Sequence, residues 1–590
     1  MQSFLIGIRA EVTFPGAPNS DSKDQKIEHN SKNVIRLLTR LLFVWFLKQK
    51  HLIPDEFFNE QYIADKLLNS FAPNKYEGLG LYKPNDSKYY KAILQNLFFA
   101  MLNCPITPQS KDDSRERGFR KSNSYGQHRD ANYLMRYENL FKDPVHFLEI
   151  ANKQVPFLNG GLFDCLDEKS AQPAIYTDGF SDNLPSPHKL IVPDYLFFGE
   201  EKGKNIDLTW FYGGDKKKKS VNVRGLINIL ETYNFTIEEN TPYDQEVSLD
   251  PELLGKVFEN LLASYNPETR TTARKQTGSF YTPREIVQYM VDESLIAHLK
   301  HTVGEEQEEE YRKLIRYTDE ELNLTLAQKD SIIKSLFACK VMDPACGSGA
   351  FPVGMLQQMV HILGQLDIDN TRWKAIQKQE ALAETSIALD EENEAARSEA
   401  LDDIERSFNK NLSRPDYARK LYLIENSIYG VDIQPIAVQI SKLRFFISLV
   451  VEQNATTDAN DNFGIRPLPN LEAKFVAANT LIGLDKQGSI SETDAVRKEQ
   501  EKLKRIRHKI FSARRPETKR KLKEQDKETR DKIASHLTDI GMMDSNSANK
   551  MASWDPYDQN ASSSFFDTEW MFGVSDGFDI VIGNPPYLKE

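Results

Sequence analysis

Cysteine is scarce and irregularly placed: Cys104, Cys165, Cys339 and Cys346 are the only four in 590 residues. None stands in a C-x-x-C pair, which argues against a thiolate zinc site and a disulfide framework and points to a reducing compartment, the cytoplasm. Long apolar runs are also missing. Leu41–Leu47 is a run of only seven residues, against the roughly 20 that a membrane-spanning helix needs. The first residues, MQSFLIGIRAEV, have no basic lead and only a five-residue apolar stretch, so they do not read as a secretory signal. No internal repeat of fixed period is visible, and the net charge of −12 argues against a uniformly basic nucleic-acid binder.

What is present suits large packed cores. Apolar residues make up 40% of the chain and aromatics 10%, with 33 Phe and 23 Tyr. Residues 32–58 carry apolar positions at helical spacing and predict a buried helix ending near Pro54, and residues 88–103 repeat the style. Residues 108–136 read as a polar loop, PFLNGGLFD (156–164) as a turn between apolar anchors, and 166–222 as irregular. Asp250 opens an amphipathic helix, and Pro283 stands at the first turn of another. Two helical insertions are expected: an acidic one over 371–412, and a charged hairpin over 491–536, broken near Arg515–Pro516. Residues 497–532 alone hold 16 Lys and Arg against 7 Asp and Glu, with sparse apolar positions. The bland reading is a solvated hairpin, the functional one a basic arm on a phosphate backbone.

Three short segments carry chemistry. VMDPACGSGAF (341–351) runs from apolar residues through an acid into a glycine-rich turn and then a helix. This is the layout of a nucleotide-type cofactor site at the carboxyl end of a parallel strand. YGVDI (429–433) reads as a second strand ending in an acid that can accept ribose hydroxyls. The turn lacks the third glycine of G-x-G-x-x-G, and the acid lies about 85 residues on rather than ~20. Both features favour an adenosyl ligand without a pyrophosphate. FDIVIGNPPY (578–587) reads as a strand, a turn at Gly583, and a loop stiffened by Pro585 and Pro586. There Asn584 and the Pro585 carbonyl can accept hydrogen bonds from an exocyclic amino group, and Tyr587 offers a flat face for a planar ring.

In this order, GSFYTP, DPACGSG and NPPY resemble the motifs of gamma-class N6-adenine DNA methyltransferases that use S-adenosylmethionine. KNVIRLLTRLLFVWFLKQKHLIP, PFLNGGLFD, YNFTIEENTP, DPELLGKVFENLL and TGSFYTPREIV narrow the resemblance. They are similar to the methylase core of type IIG restriction–modification enzymes and of BREX-type phage-exclusion methyltransferases, through most of residues 30–590. The resemblance implies an α/β fold. It would be an incomplete doubly wound class I methyltransferase (Rossmann-like) sheet over 266–590, preceded by a mainly helical N-terminal domain over 1–265. It implies that Tyr281 and Thr282 close over the methionine end of the cofactor. Asp343 and the backbone of Ala345, Gly347 and Gly349 would hold the methionine moiety, with Phe351 packed beside it. Asp432 would bind the ribose, Ile433 would pack on the adenine, and Asn479, in VAANTLIG, would lie near the adenine amino group. Asn584, Pro585, Pro586 and Tyr587 would grip a target adenine flipped out of duplex DNA.

The resemblance also implies further sheet strands and a target-recognition domain after NPPY. The chain stops three residues after Tyr587, so a fragment, a split subunit with a complementary C-terminal partner, or a truncated reading frame is expected. The four available strands would then leave an exposed edge and an uncovered face. Two other functions stay open: a chain that binds cofactor or DNA without turnover, and methylation of RNA adenine or protein glutamine. A nuclease is not supported, because Asp194, Glu200 and Lys202 are too close in sequence to share one face of two strands. No metal set is found: His298 and His301 lack acidic or thiolate partners and read as a solvated helix face.

Overall fold

The computed structural model describes residues 12–16, 23–73, 87–106, 115–120, 133–158, 161–168, 172–186, 188–201, 223–232, 282–318, 320–385, 401, 404–409, 413–484, 494–513, 516–541 and 543–585. The chain divides into two compact units, Met1–Thr277 with Ala455–Pro467, and Gly278–Asn454 with Leu468–Glu590. The expected boundary at 265/266 and the expected helix after Asp250 lie outside the described residues.

The first unit is organised by helix α1 (Lys23–Gln49), which is buried on every side from Val34 to Leu47. The helix ends at Gln49, five residues short of Pro54. His51 takes φ 57°, its N–H donates to Lys48 C=O at 2.8 Å, and the Leu52 N–H donates to Leu47 C=O at 2.9 Å. This double bond pattern is a C-terminal cap that glycine usually supplies, so the stop is hidden in the sequence. Within the apolar run, the Arg40 guanidinium bonds Asp178 Oδ1 at 2.7 Å and the carbonyls of Leu162 and Asp164. The carboxylate of Asp167 accepts four backbone N–H groups, from Thr177 to Phe180. The irregular segment after PFLNGGLFD is thus knitted by two acids and one arginine, together with short bridges such as Glu168–Ile175, which satisfy its backbone in place of regular elements. Asn462, far along the chain, belongs to this unit: its amide exchanges bonds of 2.6 and 2.8 Å with the Phe157 backbone.

The second unit is a mixed α/β body, mostly helical, with a small parallel sheet. Helices α2 (Arg284–Thr302) and α3 (Leu326–Ala338) lead to strand β1 (Val341–Asp343). Helices α4 (Ala350–Leu366) and α5 (Pro415–Asn426) connect it to β2 (Ile428–Asp432). Helix α6 (Pro435–Val451) precedes β3 (Phe475–Ala477). Helices α7 (Asp494–Ser512), α8 (Pro516–Asp539) and α9 (Ser545–Ser553) precede β4 (Ile580–Val581). The strand order is β3-β2-β1-β4, all parallel. The order therefore reverses between β1 and β4, and in open parallel sheets a ligand crevice forms where the order reverses.

Three expectations about surfaces fail here. On one face of the sheet Phe445 of α6 meets Phe475 of β3 at 4.7 Å between ring centroids. The other face is also covered: Met342, Tyr429, Val431 and Val476 pack with Val496, Leu503, Ile533, Ala534 and Leu537 of the α7–α8 hairpin. The hairpin is therefore a structural layer rather than a solvated arm. Its apolar positions are few, but all of these lie on the sheet-facing side. The described edge strand does keep Val581 59% exposed. His298 is buried, and its Nε2 lies 3.0 Å from the Ser335 Oγ of α3, so only His301 is on a solvated face.

Charge also holds the hairpin down. Asp526 of α8 is fully buried and takes Arg507 Nε at 3.0 Å on one oxygen and Arg530 Nε at 2.7 Å on the other. Arg530 bonds the carbonyls of Ala552 and Trp554, and Arg507 those of Trp570 and Met571. Asp526→Ala strands two guanidiniums without a counter-charge and should cost about 3–5 kcal/mol in urea denaturation. Arg520→Ala breaks an exposed pair with Glu524 and should leave the midpoint nearly unchanged. Equal effects of the two substitutions would contradict this account.

Candidate active site at the sheet switch point

The carboxyl ends of β1 and β4 lie side by side, and each carries one of the sequence motifs. At the end of β1, Asp343 is buried and its Oδ1 accepts the Ala345 N–H at 3.0 Å. Its Oδ2 is buried with no hydrogen-bond partner among the described residues. After β4, the Gly583 backbone presses on the same carboxyl group: a Cβ placed at Gly583 would stand 2.5 Å from Asp343 Oδ1. Any larger residue at 583 would have to displace the Asp343 carboxyl group. The next residue, Asn584, donates from Nδ2 to Thr282 Oγ1 at 3.2 Å. Segments 282, 343 and 583–584 thus meet although 61 and 240 residues separate them.

The glycine-rich turn is shaped from the side of β2 and α6. The Cys346 N–H donates to Val431 C=O at 2.8 Å. Gly347 and Gly349 take φ 52° and 84°, a region that favours glycine. A Cβ on Gly349 would crowd Ser441 Oγ at 3.0 Å, whereas a Cβ on Gly347 would meet nothing within 4 Å. Among the described residues, Gly347 therefore faces open space beside the strand ends. Ser441 Oγ donates to Gly347 C=O at 2.9 Å, and Arg444 Nη1 to Ser348 C=O at 3.3 Å. These two positioning residues were not singled out in the sequence. Their signal was there: two polar side chains three apart inside the apolar run of α6 face one partner.

Asp432, at the end of β2, accepts the Gly347 N–H at 3.0 Å on Oδ2 and the Gln434 N–H at 2.8 Å on Oδ1. It thereby braces the turn, while each oxygen retains further acceptor capacity. Ile433 beside it is 59% exposed, an apolar surface next to an acid. Phe351, in the first turn of α4, is buried. Asn479 is committed locally: its Oδ1 accepts the Leu481 N–H at 3.1 Å and its N–H donates to Ser563 C=O. This is the turn role that Asn before Thr commonly plays. Tyr281, Pro586 and Tyr587 lie outside the described residues.

The electrostatics suit a cation. Burial, reinforced by the neighbouring Asp432, pushes the Asp343 carboxyl up to about 8, against the lowering effect of the Ala345 N–H. Burial also raises Asp432, opposed by its two backbone N–H partners. A buried neutral acid with an unpartnered oxygen is poised to ionise when a positive group arrives. The buried Asp343 Oδ2, the remaining acceptor capacity of Asp432 and the exposed Ile433 offer groups suited to a positive charge, to hydroxyls and to a flat apolar ring.

The same shift predicts a pH signature. Folded Asp343 keeps its proton up to about pH 8, while the unfolded group loses it near its ordinary value of 3.8. Its contribution is therefore fully present below about pH 4 and declines as pH rises through about 8. In urea denaturation between pH 5 and 9, Asp343→Asn should gain stability relative to the parent as pH rises. A difference independent of pH would contradict the buried neutral acid.

Residues 426–590 match the family described as Eco57I restriction-modification methylase. Over 482 residues the chain is 25% identical to a candidate type II restriction enzyme and methyltransferase of Methanocaldococcus jannaschii. That alignment covers 79% of this chain, which spans about 28% of the length of the relative. Both similarities support a restriction-modification methylase core.

Proposed function

We propose that the chain is a site-specific DNA adenine-N6 methyltransferase of the gamma class, acting in restriction–modification or phage defence in the cytoplasm. On this reading the parallel sheet is the first part of a class I methyltransferase sheet. The observation that carries the proposal is the meeting of Asp343 and Gly583 at the strand-order reversal. It brings the glycine-rich turn and the loop that starts at Asn584 to neighbouring strand ends. That Asn584 is tethered to Thr282 supports the same reading.

S-adenosylmethionine would supply an electrophilic methyl group on a sulfonium. The Asp343 carboxylate and the backbone of Ala345, Gly347 and Gly349 would hold its amino-acid end, with Tyr281 and Thr282 closing over it and Phe351 packed beside. Asp432 would take the ribose hydroxyls, Ile433 would pack on the adenine, and Asn479 would lie near its amino group. The target base must leave the duplex stack to reach such a site, and Tyr587 would give it a stacking surface. The exocyclic nitrogen is a weak nucleophile because its lone pair is delocalised into the ring. Asn584 and the Pro585 carbonyl would accept its hydrogens and favour a more tetrahedral nitrogen, with Pro586 stiffening the loop. Transfer would form a nitrogen–carbon bond as the sulfur–carbon bond breaks, the neutral thioether would leave, and the proton lost from the nitrogen would pass to solvent. The rate gain comes from orientation and placed dipoles rather than from a strong base.

The test is to incubate the chain with labelled S-adenosylmethionine and unmethylated duplex DNA, digest the DNA and identify the modified nucleoside by mass spectrometry. N6-methyladenine is expected, with at least a 10²-fold lower rate for Asn584→Ala, the loss typical of one placed catalytic dipole. Label in cytosine, in RNA or protein only, or nowhere would overturn the proposal.

A further inference from the structure

Helix α7 has an outer face that its packing role does not explain. Val496, Leu503, Ile506 and Ile510 are buried, and Arg507 is committed to Asp526. On the opposite side Lys498, Lys502, Arg505 and Lys509 are exposed. At 100° per residue these four fall within about 60° of arc, and at 1.5 Å per residue they form a line about 17 Å long. Arg497 and Lys504, also exposed, flank the line. Lys502 has a loose partner in Glu499 at 3.8 Å. Arg497, Lys498, Lys504, Arg505 and Lys509 form no ion pair among the described residues.

On α7 these six exposed cations stand against two exposed acids, Asp494 and Glu501, an excess that a merely solvated helix does not need. The neighbouring α8 shows the alternative: its exposed Arg520, Lys521, Lys527 and Lys532 are interleaved with exposed Glu524, Glu528 and Asp531, and Arg520 pairs with Glu524 at 3.7 Å. Like charges three or four residues apart on a helix each cost about 0.2–0.5 kcal/mol. The excess is not a by-product of composition either, since the whole chain is at −12. Helix α7 is also anchored, through the apolar layer and the Arg507–Asp526–Arg530 cluster, so its cations are carried on a rigid support.

We infer that the Lys498–Lys509 line of α7 is a docking surface for the phosphate backbone of duplex DNA. Cations spaced about 5–6 Å apart along a rod suit a ligand whose own charges recur regularly, and each DNA strand carries one negative charge per roughly 3.4 Å of axis. The surface holds the duplex without reading its sequence. The inference rests on the reading of DNA as the substrate.

The test compares two variants of the full chain with equal charge loss. One carries Lys498→Gln, Lys502→Gln, Arg505→Gln and Lys509→Gln on α7. The other carries Arg520→Gln, Lys521→Gln, Lys527→Gln and Lys532→Gln on α8. Affinity for a fluorescent 20-base-pair duplex of arbitrary sequence is measured against salt concentration. Each phosphate contact contributes about 0.9 to the slope of log affinity against log salt. The α7 variant should therefore lose about 2–4 from the slope and roughly 10²-fold in affinity at 0.1 M salt. The α8 variant should stay close to the parent. Wild-type behaviour of the α7 variant, or equal losses in both variants, overturns the inference. Nucleoside analysis of the methylated product separates it from the enzymatic reading. A parent that methylates adenine with an α7 variant that binds normally refutes only the docking surface. A parent with the expected salt behaviour but no methyl transfer refutes only the enzymatic assignment, and a parent that does not bind duplex refutes both.

Discussion

Asp343 ends the central strand with one carboxylate oxygen bonded to Ala345 N–H, the other buried without a partner among the described residues, and the Gly583 backbone pressed against the group. Burial raises the pKa of an acid in that position, and a side chain opposite it would have to displace its carboxyl group. Much of the site follows from this contact. The turn after Asp343 must fold back over β2, where Cys346 N–H meets Val431 C=O, and its glycines must take positive φ angles. Asp432, Ser441 and Arg444 then satisfy the turn's N–H and C=O groups from outside. The loop after Gly583 is fixed in turn, which brings Asn584 to Thr282.

The layer beneath this edge rests on different physics. The α7–α8 hairpin covers one face of the sheet with a narrow apolar stripe and a buried acid between two arginines. Burying such a cluster contributes little net stability, but removing one partner is expensive, so it favours one docking arrangement over others. The outer side of α7 is thereby free of structural duty, and its composition can answer to a partner instead.

Local patterns were legible in the sequence. The strand–turn–helix at 341–351, the acid-ended strand at 428–432 and the strand before Asn584 all have short-range causes: apolar alternation, glycine and proline. Contacts between distant residues were not legible. Nothing near Gly583 shows that its missing Cβ answers to Asp343, and nothing near Asn462 shows that it belongs with Phe157. Two errors came from composition outweighing pattern. The many charges of 497–532 hid the stripe of Val496, Leu503, Ile506 and Ile510, and the absence of glycine hid the cap at His51. His298 was read as solvated because its partner, Ser335, lies on a different helix.

We propose that the carboxyl ends of β1, β2 and β4 hold a cationic adenosyl ligand, with Asp432 on its sugar. Calorimetric titration of the chain with S-adenosylmethionine, repeated with Asp432→Ala, tests it most directly. The account predicts a single-site binding isotherm in the parent and its loss in the variant. No binding in the parent, or undiminished binding in the variant, would contradict it.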